Sequence, residues 1–68
     1  MEIQFELINE FGEFKSEIIN CTNDEYLAIK EMSKNYYETG FELTDDSGNF
    51  IVFTPEVIKK SILKIKII

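Results

Sequence analysis

The chain has 68 residues, 13 Asp+Glu against 7 Lys+Arg, no His and no Trp, for a formal charge of −6. That length supports one domain with one core, here residues 1–68. The acidic balance argues against direct contact with nucleic acid, where phosphates need a basic face. The missing His removes the commonest general base and metal ligand, and a single Cys cannot form an internal disulfide or a thiolate cage. The apolar fraction of 44% is that of a folded chain rather than a disordered one.

The opening segment alternates: Ile3, Phe5 and Leu7 against Glu2, Gln4 and Glu6. Period two with one polar face is a half-buried strand. The pattern breaks between Asn9 and Gly12, then resumes with Phe14, Ser16 and Ile18 against Glu13, Lys15 and Glu17. Residues 2–9 and 13–20 therefore read as a β-hairpin.

Thr22-Asn23-Asp24-Glu25 has the spacing of a capping box. A helix is expected from about Asn23 to Glu38, with Gly40 ending it. At about 100° per residue, Ala28, Ile29, Met32 and Tyr36 share the face expected to pack, with Leu27 on the far side. Phe41–Thr44 reads as a strand, Asp45-Asp46-Ser47-Gly48-Asn49 as a turn, and Phe50–Phe53 as a strand apolar on both faces. Thr54-Pro55-Glu56 starts a short helical turn, since Pro suits the first helical position. Ile62–Ile68 alternates again, with Leu63, Ile65 and Ile67 opposing Lys64 and Lys66. The expected fold is α+β: a five-stranded, mostly antiparallel sheet in the order β-β-α-β-β-(short helical turn)-β, with one main helix on one face.

Charge divides along the chain. Residues 1–56 hold all thirteen acids and three lysines, a net of −10; residues 57–68 hold four lysines and no acid, a net of +4. Glu2 and Glu6 are expected to face Lys64 and Lys66 across neighbouring strands. The last segment also offers an open edge, with outward lysines of the kind that block one.

No constellation carries chemistry. Asp45 to Asn49 lacks the spacing of an EF-hand loop. Cys21 precedes the helix, but no His is present to activate it. No Gly-rich phosphate loop occurs, so the chain is expected to be no enzyme and to need no cofactor or metal. The N-terminus lacks the basic and apolar stretches of a signal peptide, and no apolar run approaches the roughly 20 residues of a membrane span, so a cytoplasmic protein without membrane contact is expected. Eleven Ile, seven Lys and five Asn with no Arg match AT-rich codons and suggest a low-GC bacterial, plasmid or phage gene.

One helix cannot cover both faces of a five-stranded sheet. Ile8, Ile19, Ile62, Ile68 and either Phe50 with Val52 or Ile51 with Phe53 are left over. Either the sheet curls into a partial barrel that buries them, or Ile8, Ile19, Val52, Ile62 and Ile68 form a self-association face. Phe11 in the first turn, and Leu27, Glu31, Tyr37 and Glu38 on the outer side of the helix, form the expected partner-binding set. These features point to a small acidic protein-binding module: a phage or mobile-element accessory or inhibitor protein that occludes a larger protein, favouring a basic surface. Two rivals stand beside it: a self-assembling homo-oligomer, and a DNA mimic whose outward carboxylates replace phosphates.

Overall fold

Alternation in the first segment produces β1 (Glu2–Asn9), the centre of the computed structural model, which describes residues 1–68. Ile3 and Leu7 are fully buried and Phe5 nearly so. After the turn at Gly12 (φ 137°), β2 (Gly12–Lys15) returns antiparallel, Glu6 opposite Lys15 and Leu7 opposite Phe14.

The expected strand over 13–20 is interrupted. β2 stops at Lys15, and β3 (Ile19–Asn20) resumes along the same edge of β1 with Ile3 opposite Ile19. The two registers differ by one residue, which is a β-bulge across Ser16–Ile18. A one-residue slip exchanges the faces. Ile18, expected in the core, is exposed, and Ile19, expected on the outer face, packs against the core. Ser16 is itself buried and satisfies the break: its N–H donates to the Phe5 carbonyl (2.9 Å), and its Oγ accepts from the Phe5 N–H (2.9 Å). The Gln4 amide donates to the Ser16 carbonyl (2.9 Å).

On the other edge of β1, β6 (Ile62–Ile67) runs antiparallel, with Phe5 opposite Ile65 and Glu6 opposite Lys64. The strands thus form a four-stranded sheet and, separately, a hairpin of β4 (Phe41–Thr44) and β5 (Phe50–Phe53). This corrects the expectation of one five-stranded sheet. The bulge turns the chain off β1 at Ser16, which bridges to Asp45, while the Glu17 N–H donates to the Thr44 carbonyl (2.8 Å). The hairpin therefore lies across the inner face instead of extending the edge. Phe5 meets Phe41 and Phe14 meets Phe53 edge-on, each at 5.2 Å between ring centroids.

The helix expected over 23–38 is shorter. The capping box forms: Thr22 Oγ1 accepts from the Glu25 N–H (3.1 Å), and Glu25 Oε1 accepts from the Thr22 N–H (2.9 Å). α1 (Asn23–Ser33) ends where the Lys34 and Asn35 N–H groups reach back three residues, to Glu31 and Met32, tightening the last turn. A separate turn, α2 (Tyr36–Thr39), follows. The expected covering role is also corrected, because α1 has no buried residue. Tyr26, Ile29 and Ser33 are half-buried; of these, Ile29 packs against the core, whereas Ala28 and Met32 are exposed. Phe41, Leu43 and Phe53 already fill the space over β1, with Ile58 from α3 (Pro55–Ile58).

Gly40 (φ 81°, ψ −178°) joins α2 to β4 in a region essentially reserved for glycine. A Cβ there would lie 2.6 Å from the Phe53 carbonyl oxygen, so this close crossing has no room for a side chain.

Candidate functional site: exposed apolar surface and an open strand edge

Eleven large apolar side chains are exposed, as many as there are buried residues of any kind. Their positions follow from the strand parities and the helix orientation. On the hairpin, Phe41, Leu43 and Phe53 face inward, so Phe50 and Val52 project outward, 64% and 59% exposed. The sequence left this choice between Phe50 with Val52 and Ile51 with Phe53 open.

The expected partner-binding residues occupy separate places. Phe11 stands 71% exposed in the β1–β2 turn, beside a cleft of about 170 Å³ that it shares with Glu10, Glu56, Val57 and Lys60. Leu27 and Glu31 lie one turn apart on the outer side of α1, and Glu31 pairs with Lys34 at 3.0 Å in full solvent. Tyr37 and Glu38 are exposed on α2. Tyr37 borders a groove of about 170 Å³ with Lys34, Ile58 and Leu63. Of the expected self-association residues, Ile8 and Ile62 are cross-strand neighbours on the outer face of the main sheet. Ile68 lies at its far end, where its N–H donates to Glu2 (2.9 Å), Val52 is on the hairpin, and Ile19 turns inward.

Polar groups on the outer face are organised around Glu6. It is buried although it points away from the core, with Lys64 Nζ at 3.9 Å and Lys66 Nζ at 3.8 Å. Glu2 is exposed and makes no ion pair with either lysine. Two lysines, each more than half exposed, thus share one carboxylate.

Three groups have displaced acidities. The Thr22 backbone N–H, then its hydroxyl, holds the Glu25 carboxyl below the usual range. The Asn49 N–H does the same for Asp45, with Ser47 adding a second bond. Asp45 Oδ1 accepts from the N–H groups of Asn49 (2.8 Å) and Ser47 (3.0 Å), so its turn consumes the carboxylate internally. Burial raises the Tyr36 phenol. No grouping of three or more His, Cys, Asp or Glu side chains is placed to hold a metal ion. The largest groove, about 470 Å³, lies between α2 and the hairpin with Tyr36, Glu42, Val52 and Pro55 on its walls. No helix is long and apolar enough to cross a membrane.

The exposed Ile18, Met32 and Phe50 belong to this surface, although periodicity placed Ile18 and Met32 on inward faces and did not decide Phe50. Ile18 is exposed by the bulge and Met32 by the orientation of α1. Phe50 required knowledge of which side of the hairpin faces β1.

Compared with known proteins, the chain matches no family model, no curated protein sequence and no solved structure.

Proposed function

We propose that the chain is a non-enzymatic protein-binding module that acts in the cytoplasm by occupying a surface of a larger protein, as phage and mobile-element accessory or inhibitor proteins do. The observation carrying this reading is the unburied helix: α1 retains a formed cap while burying no residue. A marginal helix gains most of its stability from packing an apolar face. Leu27 and Met32 on α1, with Phe11 and Tyr37 elsewhere on the surface, supply large apolar contacts. The net charge of −6 favours encounter with a basic surface.

The test is affinity capture from a low-GC bacterial lysate, comparing the native chain with a Phe11→Ser/Leu27→Ser variant. A stoichiometric partner that the variant loses and rising salt releases is expected. Retention indifferent to both the substitutions and salt removes this reading. Self-assembly is the second reading, favoured by the adjacent outward pair Phe50 and Val52. Light scattering at micromolar concentration separates the two, because a strict monomer removes self-assembly.

A further inference from the structure

β6 is an edge strand whose only ladder is the one to β1. The Ile68-to-Glu2 hydrogen bond fixes its phase. Backbone groups of Ile62, Lys64 and Lys66 point at β1, and those of Leu63, Ile65 and Ile67 point at the open side. Three N–H and three C=O groups therefore stand in a row, an unfilled template for another strand.

The side chains define what fits. Leu63, Ile65 and Ile67 line the inner face of this edge, and Ile67 is 56% exposed. The outer face presents Lys64 and Lys66, which have only Glu6 between them. At the head of the strand, Leu63 opens into the groove beside Tyr37 and Ile58. We propose that the open edge of β6 takes up an extended strand of a partner protein in which acidic and apolar residues alternate. Acids would continue the row from Glu6 through Lys64 and Lys66, while apolar residues lie beside Leu63, Ile65 and Ile67. β1 already pairs with β6 by this pattern, with Gln4 and Glu6 opposite Lys66 and Lys64 and with Ile3, Phe5 and Leu7 between them. A second copy of β6 fits poorly: an antiparallel two-fold pairing centred on Ile65 sets each Lys64 against a Lys66, and like charges directly opposite repel.

The assignment rests on the protein-binding reading but uses a surface apart from Phe11 and Leu27, so the failure of one is distinguishable from the failure of the other. The experiment titrates the full chain with a soluble, end-blocked peptide of about eight alternating Glu and Val residues, a length that suits one strand. The readout is amide hydrogen exchange at residues 62–68. Slower exchange at Leu63, Ile65 and Ile67 is expected, with no such change for a peptide carrying Lys in place of Glu. Ile67→Pro removes one outward N–H but no bond to β1, which edge strands tolerate. It and, separately, Lys64→Gln/Lys66→Gln are each expected to weaken binding about tenfold. Protected amides at Gln4 and Glu6 show that each variant keeps its inner ladder. Unchanged exchange, or equal binding of acidic and basic peptides, overturns the proposal. So does edge protection in the free chain that rises with concentration alongside a doubled mass, which places a second copy on the edge.

Discussion

The hairpin β4–β5 and the helix α1 both lie outside the main sheet, yet they relate to the core in opposite ways. The hairpin has four residues per strand and buries Phe41, Leu43 and Phe53. The helix has eleven residues and buries none. Local order is comparable, since α1 has a complete capping box and the hairpin a turn locked by Asp45. The difference lies in long-range packing: aromatic rings from the hairpin meet Phe5 and Phe14, while α1 sends only Ile29 toward the core. A well-formed element need not contribute a residue to the buried core.

Substitutions can break this contrast, beginning with the core. Phe41→Ala removes a ring that contacts both Phe5 and Tyr36 and is expected to lower stability by about 3–5 kcal/mol, measured by urea unfolding. Gly40→Ala forces a side chain against the Phe53 carbonyl in a conformation that only glycine tolerates, for a loss of about 2–3 kcal/mol in the same measurement. Ser16→Ala deprives the Phe5 N–H of its acceptor inside the bulge and is expected to cost about 2 kcal/mol, with faster amide exchange at Phe5.

Smaller effects belong to α1. Thr22→Ala removes the cap, worth about 1 kcal/mol of helix stability, and should reduce helical circular dichroism before aromatic signals from the core change. Coincident loss of both signals would erase the distinction between the two regions. Acid offers a gentler probe of the same cap. Glu25 has its folded-state pKa depressed, so its contribution is present above the unfolded value and disappears as pH falls through the folded one. The Thr22 amide resonance should report that titration, and Glu25→Gln, which removes the titrating carboxyl, should abolish its shift.

How much of this was legible depended on the range of each interaction. The capping box, the Asp45–Asn49 turn and the alternation in residues 2–9 and 62–68 are local patterns, and each formed, with β6 ending one residue early at Ile67. The bulge was hidden because Phe14, Ser16 and Ile18 continue a regular alternation. Only pairing with Ile3 decides that Ile19, not Ile18, turns inward. The face of α1 was misjudged for a related reason. Ala28 and Met32 fit an apolar stripe, but the hairpin had taken the space they were expected to fill. The surface residues of the candidate site were visible as residue types, whereas their separation into turn, helix, hairpin and strand edge required the assembled fold.

The ladder between β1 and β6 joins Ile3 to Ile67 and Ile8 to Ile62. Closing so long a loop carries an entropic cost before any pairing is rewarded, so refolding should proceed in milliseconds or slower instead of microseconds. During synthesis, β1 leaves the ribosome well before its main neighbour exists. Its edge facing β6 must wait for residues 62–67 to emerge, an interval in which an unpaired strand edge favours aggregation.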